Sequence, residues 1–364
     1  MREKTDMRPL TIGNLTAEIP VVQGGMGVGI SLSSLAGAVA ANGGVGIIST
    51  AQIGYREPDW DEHPIEANLR AIGKEIKKAK ELAKGKGMVG VNIMVATRDY
   101  ERYVRAAVEA GADLIISGAG LPVDLPRMVK GSDTRILPIV SGLKSAQVIC
   151  RYWEKKYAYY PDGIVIEGPL AGGHLGFPLE ALSDVETLDY DSVIRDIIAY
   201  IHTYEQKAGK KIPVIVAGGI YDRKDMEHAL SLGADGVQAA TRFVTTYECD
   251  AAEAYKQAYI DAKKEDIVIV KSPVGMPGRA ILNPFMKRAM TEQIPHGKCH
   301  LCISTCKSAE TPYCITERLL AAVKGNVDEA LLFCGANAYR ATKLEHVKDI
   351  MEEFGQSELL PGKE

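Results

Sequence analysis

Ile212-Pro-Val-Ile-Val-Ala-Gly-Gly-Ile-Tyr-Asp-Arg-Lys-Asp-Met-Glu-His-Ala-Leu-Ser-Leu-Gly-Ala-Asp-Gly-Val-Gln-Ala-Ala-Thr-Arg242 reads as one strand–helix–strand unit. Residues 212–217 are apolar and β-branched and do not alternate with polar residues, which is how a strand buried on both faces reads. Residues 224–232 carry helical spacing and stop at Gly233, a residue that takes the left-handed stop conformation at little cost. Residues 235–239 form a second buried strand. Working outward, further runs of this kind occupy residues 19–23, 45–49, 88–93, 113–117, 136–141 and 163–167. Helical stretches at 33–42, 65–83, 98–110, 145–155 and 193–207 separate them. Gly111-Ala-Asp113 repeats the helix-to-strand joint of Gly233-Ala-Asp235. Eight strands alternating with helices predict a closed (β/α)8 TIM barrel. The rival, an open doubly wound sheet, more often has about five to seven strands.

The chain length of 364 residues suits one such barrel with additions. Residues 1–290 are expected to form the barrel and a following loop segment. Residues 291–364 are expected to form a mainly helical extension, which carries five of the seven cysteines. Charged residues make up 25% and the net charge is -4, so nothing electrostatic argues for a nucleic-acid partner. No run reaches the length of a membrane span, and the charged opening residues lack the apolar core of a secretory signal. The expectation is a cytoplasmic enzyme acting on a small molecule, with thiols kept reduced and its oligomeric state left open.

Several motifs stand where strands end. Ala217-Gly-Gly-Ile220 follows the seventh strand, and Gln238-Ala-Ala-Thr241 follows the eighth. Barrels commonly hold a phosphate at these two loops, because glycine lets backbone N–H groups converge on its oxygens. Two tight turns are the plain alternative. Gln23-Gly-Gly-Met-Gly27 ends the first strand, where backbone can approach a flat ligand and Met26 can lie on its face. Asn92 closes the third strand and offers an amide with both a donor and an acceptor. In Glu167-Gly-Pro-Leu-Ala-Gly-Gly-His-Leu-Gly-Phe177, glycines flank His174, whose imidazole can move protons near neutral pH. Cys299-x2-Cys302-x3-Cys306, followed by Cys314, has spacing that suits tetrahedral zinc or an iron–sulfur cluster. A set of buried thiols is the alternative. Cys150, Cys249 and Cys334 read as buried fillers. Within the Gly/Pro-rich piece from Ser272 to Arg279, residues Gly275–Arg279 offer either a ligand contact or, more simply, a loop against the barrel.

Taken together, Gln23-Gly-Gly-Met26, Val91-Asn92, Ala171-Gly-Gly-His174, Ala217-Gly-Gly-Ile220 and Gln238-x-x-Thr-Arg-Phe243 resemble the nitronate monooxygenase family, also called the 2-nitropropane dioxygenase family. That family includes flavin-dependent enoyl-acyl-carrier-protein reductases. The motifs occur in family order between about Pro9 and about Tyr247. The resemblance implies a barrel holding FMN without a covalent bond. Gly218, Gly219, Gln238, Ala239, Ala240 and Thr241 would hold the phosphate end. Gly24, Gly25, Met26 and Asn92 would border the ring. Glu167, Gly172 and Gly173 would line the site, and His174 would be the catalytic histidine.

Two departures affect the function. Glu167 stands where many nitronate oxidisers carry Gln, and Pro169-Leu170 replaces the usual Met-Glu or Thr-Glu pair. The cysteine segment is similar to the iron–sulfur segment of some flavin-dependent dienoyl reductases. The first expectation is an FMN-dependent oxidoreductase that oxidises alkyl nitronates with dioxygen. The alternative is an enoyl-thioester reductase using FMN, with NAD(P)H as cosubstrate. A barrel that only stores or senses flavin is the non-enzymatic third.

Overall fold

The eight apolar runs become the eight strands of one closed, all-parallel barrel. They are β1 (Val21–Gln23), β2 (Val45–Ser49), β3 (Met88–Met94), β4 (Leu114–Gly118), β5 (Arg135–Val140), β6 (Ile164–Glu167), β7 (Val214–Ala217) and β8 (Gly236–Ala239). The barrel closes where β8 pairs with β1, with Val237 opposite Val21. The computed structural model describes residues 8–307 and 310–356. Residues 1–7 and 357–364, the outer ends of the two expected units, lie outside the described residues.

Strand alternation sorts the apolar side chains into two layers. Val22, Val45, Ile47, Leu114, Ile116, Leu137, Val165 and Ile215 form the inner cluster. A hairpin of Leu10–Ile12 and Leu15–Ala17 adds Leu10, Ile12 and Ala17 to it. Their neighbours Val21, Ile48, Val91, Ile115, Ile164, Val214 and Val237 face the helices.

The helices are α1 (Ser33–Ala41), α2 (Pro64–Ala83), α3 (Tyr100–Glu109), α4 (Leu125–Met128), α5 (Leu143–Tyr157), α6 (Tyr190–Ala208), α7 (Arg223–Ser231) and α8 (Thr241–Val244). One contact shows why glycine is needed at a packed position. A Cβ on Gly46 of β2 would stand 1.9 Å from the Ala36 carbonyl oxygen of α1. Two helices are single turns, α4 and α8, and helical spacing in the sequence marked neither of them.

The shortness of α8 is made up from far along the chain. The helix Val347–Gly355 packs against α1 and α7. Its Val347, Ile350, Met351 and Phe354 are buried in the same cluster as the barrel's outer face. Arg242 fastens it, with Glu345 at 2.9 Å and Glu353 at 2.8 Å.

The residues between α8 and that helix form a cover. Its sheet is β9 (Ile267–Lys271) antiparallel to β10 (Pro277–Ile281). The two residues Gly173–His174 join β10 as a third strand. Short helices Glu253–Asp261, Pro284–Ala289 and Ile315–Val323 complete the cover. Among the described residues no helix is long and apolar enough to cross a membrane.

Candidate active site

A cavity of about 440 Å³ lies at the carboxyl ends of the strands, between barrel and cover. This is the end of a TIM barrel where chemistry is found, and the size is ordinary for a small-molecule site. Its walls include Gly24, Gly25, Met26, Asn92, Glu167, Gly172, Gly173, His174, Gly218, Gly219, Gln238, Ala240 and Thr241. Ala239 does not line it. Side chains alternate along β8, so Gln238 reaches the cavity while Ala239 is buried among the outer residues.

The turn after β1 is a cradle. Gln23 is a strut inside it, because its side chain donates to the Ile47 carbonyl at 3.2 Å and accepts from the Ile47 N–H at 3.1 Å. A Cβ on Gly25 would stand 2.5 Å from Cβ of Asn92. One on Gly24 would stand 3.2 Å from Cγ of Gln238. Glycine at both positions leaves room for the two amides that line the cavity.

The turn after β7 needs glycine twice. Gly218 and Gly219 have φ of 94° and 88°, where a side chain is strained. The cover stitches itself to this end. Asn337 donates to the Gly219 carbonyl at 2.6 Å, and the Gly335 N–H donates to Thr241 Oγ1 at 3.1 Å. Having accepted there, the Thr241 hydroxyl keeps its own proton for a ligand.

His174 sits where barrel and cover meet. Its Nε2 is 2.7 Å from Ser272 Oγ, and its ring meets Phe333 edge-on at 5.0 Å. Burial holds its pKa down at about 4, so the imidazole is neutral at pH 7. Arg279, itself buried, donates to the Ala171 carbonyl and anchors the loop that carries Gly172, Gly173 and His174. Glu167, at the end of β6, has its carboxyl pushed up to about 7 by burial. The Tyr190 hydroxyl donates to its backbone carbonyl at 3.0 Å.

Ser272, Phe333, Gly335 and Asn337 are site residues that the sequence did not mark. Ser272 begins the Gly/Pro-rich piece, of which the sequence offered only residues 275–279 as a ligand contact. Val274 and Met276 of that piece also line the cavity. The others carry no local signal.

Cys150, Cys249 and Cys334 are buried, as expected. Cys299, Cys302, Cys306 and Cys314 all line a second, smaller cavity in the cover. The expectation of an iron–sulfur cluster or zinc at these cysteines needs correction. Among the described residues no three His, Cys, Asp or Glu side chains stand close enough to chelate one ion. The four cysteines surround the cavity and do not meet at a point.

The fold has known counterparts. A solved structure described as FabK from Thermotoga maritima has TM-score 0.69 and 25% identity, covering 93% of this chain and 92% of that one. A nitroalkane oxidase from Streptomyces ansochromogenes has TM-score 0.68 at 19% identity, covers 92% and 94% of the two chains, and shares the fold. In sequence, a Mycobacterium tuberculosis relative is named (3aS,4S,5R,7aS)-5-hydroxy-7a-methyl-1-oxo-octahydro-1H-indene-4-carboxyl-CoA dehydrogenase. It is 27% identical over 288 residues, 79% of this chain and 69% of that protein. A probable nitronate monooxygenase of Staphylococcus aureus is 35% identical over 126 residues, which is 35% of this chain and 33% of that protein. The family model described as Nitronate monooxygenase matches residues 8–357. That span runs well past Tyr247, where the sequence motifs stop, and takes in the cover and the closing helix. The chain belongs to the nitronate monooxygenase family.

Proposed function

We propose that the protein is an FMN-dependent oxidoreductase that oxidises alkyl nitronates with dioxygen. One observation carries the reading: two phosphate-type turns, a glycine cradle and His174 border the same cavity. The residues fit the cofactor. Gly218 and Gly219 take left-handed φ that leaves backbone free to approach a phosphate, and Thr241 has a hydroxyl proton to give. At the other end, a Cβ on Gly25 would collide with Asn92, so the cradle exists only with glycine.

Bound FMN would supply the electron acceptor or donor at its ring system. The chain's own residues do the rest. His174, neutral through the working pH range, offers an N–H to the oxygens of an anionic substrate without adding a charge to a dry site. Ser272 fixes the ring's orientation. The cover walls the cavity on the side opposite the barrel, with Val274, Met276 and Phe333.

A second reading, NAD(P)H-dependent reduction of an enoyl thioester, is favoured by Glu167. A carboxyl with a pKa of about 7 can give a proton to carbon near neutral pH. Once ionised, it would repel a nitronate anion. The M. tuberculosis relative, named for a carboxyl-CoA, also points to a thioester.

Anaerobic stopped-flow separates the readings. Bleaching of the flavin absorbance by a nitronate, with none by NADH or NADPH, is the expected result. Rapid bleaching by a reduced nicotinamide replaces the first reading with the second. Bleaching by neither contradicts both.

A further inference from the structure

Gln52 and Tyr103 line the main cavity but have no part in the chemistry proposed for His174. Gln52 follows β2, and Tyr103 lies on α3, after β3. In the closed barrel β2 and β3 stand opposite β6 and β7. The loop after β6 carries His174, and the turn after β7 carries Gly218 and Gly219. The corner at β2 and β3 is also where barrel meets cover. Thr97 forms a β-bridge with Ile303 of the cover, and both line the cavity. The Cys302 thiol, on the same wall, lies close enough to act on Tyr103.

A buried polar network fixes the Tyr103 hydroxyl. Gln52, Asn68 and Tyr103 are 5%, 0% and 2% exposed. Gln52 takes a left-handed φ of 47°, a strain of the kind kept at functional sites. Its side chain accepts from Trp60 Nε1 at 3.1 Å and from Asn68 Nδ2 at 3.2 Å, and donates to the His300 carbonyl at 3.2 Å. Asn68 Oδ1 accepts from the Gly54 N–H at 2.7 Å, and its Nδ2 also donates to the Tyr103 hydroxyl oxygen at 2.7 Å. Each amide oxygen and nitrogen of the network thus has a partner. The Tyr103 oxygen has its acceptor role filled, and its own proton meets no acceptor among the described residues. Burial pushes this hydroxyl up to about 12, so the proton stays on it through the working pH range. A buried donor left unmet is costly, and the cavity is the side from which an acceptor can come.

We propose that the Tyr103 hydroxyl binds an uncharged carbonyl oxygen that the substrate carries away from its reacting carbon. The inference deepens the nitronate reading and rests on it for the reacting end of the substrate. No Lys or Arg is among the described residues that line the cavity, so no cation there answers a carboxylate or a phosphate on the substrate. An ionised group at this corner would be desolvated with nothing to pair it. A carbonyl needs only the one donor that is present. Apolar wall residues, among them Met94, Ile303, Ile315 and Leu319, suit the carbon chain that joins the two ends. Because Asn68 holds the hydroxyl in place, the donor is preorganised. It therefore discriminates a ligand that has the oxygen from one with a methylene in its place.

The test is anaerobic calorimetric titration of the full-length protein as purified, flavin included. The probes are two neutral nitroalkanes of equal chain length, 5-nitropentan-2-one and 1-nitropentane. The ketone is expected to bind about tenfold tighter, the worth of one well-placed hydrogen bond. Tyr103→Phe should bring the two affinities to within about twofold of each other. The affinity for 1-nitropentane, the circular dichroism and the flavin content should stay unchanged. Equal affinities in the parent protein, where no substitution raises a folding question, overturn the proposal. So does a preference for the ketone that survives Tyr103→Phe, or no binding of either compound. Loss of flavin from Tyr103→Phe in place of the preference overturns it too, because the hydroxyl would then belong to the cofactor. The nitronate reading is read apart, by bleaching of the flavin with the nitronate of 1-nitropentane, which lacks the second oxygen. Bleaching with no preference for the ketone defeats this inference alone. A preference for the ketone with no bleaching by either nitronate leaves the Tyr103 site standing and defeats the nitronate reading alone.

Discussion

The barrel strand Val45–Ser49 is buried at all five positions, whereas the cover strand Ile267–Lys271 is fully buried at one. The barrel repeats one joint eight times and packs each strand on both faces. The cover is a three-stranded sheet, short helices and long irregular stretches, fastened by individual contacts such as Asn337 to Gly219 and Gly335 to Thr241. The cavity lies between the two constructions, and each contributes differently. The barrel supplies backbone turns shaped by glycine, suited to a cofactor. The cover supplies Ser272, Phe333 and the walls a substrate would touch. On this account, barrel-side changes should affect cofactor binding, and changes at the seam should affect turnover with the cofactor in place.

The sharpest test of that division is His174→Ala. It should keep flavin and lose roughly 10²–10⁴-fold in turnover, the usual share of a proton-handling or substrate-orienting side chain. Flavin content and steady-state rate are measured on one preparation, and a variant that loses its flavin would break the division. On the barrel side, Gly219→Asp puts a carboxylate beside the phosphate turn. Like charges about 4 Å apart at an effective dielectric of about 20 repel by about 4 kcal/mol, or about 10³-fold in FMN affinity. Titration with FMN reads this. Circular dichroism checks the fold, since residue 219 sits at a φ of 88°.

Ser272→Ala is smaller. One hydrogen bond is worth about 1 kcal/mol, so kcat should fall by about fivefold to tenfold. Because Ser272 acts through His174, the pH profile should also shift, and Ser272→Thr should restore it. A change in FMN affinity in place of kcat would move Ser272 to the barrel's side of the comparison.

Glu167→Gln is read on a different scale from the kinetic variants, as stability against pH in flavin-free protein. Burial raises this carboxyl from 4.5 to about 7. Between those values the folded chain holds a proton that the unfolded chain releases, so stability falls as pH rises from about 4.5 to about 7 and stays lower above that. The amide cannot ionise. The variant should match the parent near pH 4.5 and unfold at a higher temperature at pH 8. Equal midpoints at pH 8 would show that the carboxyl is not desolvated.

All eight barrel strands were legible because burial on both faces leaves an unbroken apolar run that little else imitates. The site's barrel half was legible for a related reason: Gly218 and Gly219 are demanded by a left-handed backbone, and Gly24 and Gly25 by the close approach of Gln238 and Asn92. Ala239 was assigned to the cofactor because it lies inside a motif, but the alternation of β8 turns it outward. The cover was not legible. Its strands are short, and Ser272 and Asn337 are held by partners 98 and 118 residues away in sequence. Nothing within the reach of local periodicity encodes such contacts. The return of Val347–Gly355 to complete the barrel's outer layer is long-range in the same way.

The central claim is that the glycine turns and Thr241 hold FMN beneath His174. Flavin analysis of the purified full-length chain, followed by titration of the stripped protein with FMN, tests this most directly. The account predicts a yellow protein that releases FMN on denaturation and rebinds about one FMN per chain, with Gly219→Asp failing to rebind. A correctly folded chain that is colourless and takes up no FMN would contradict it.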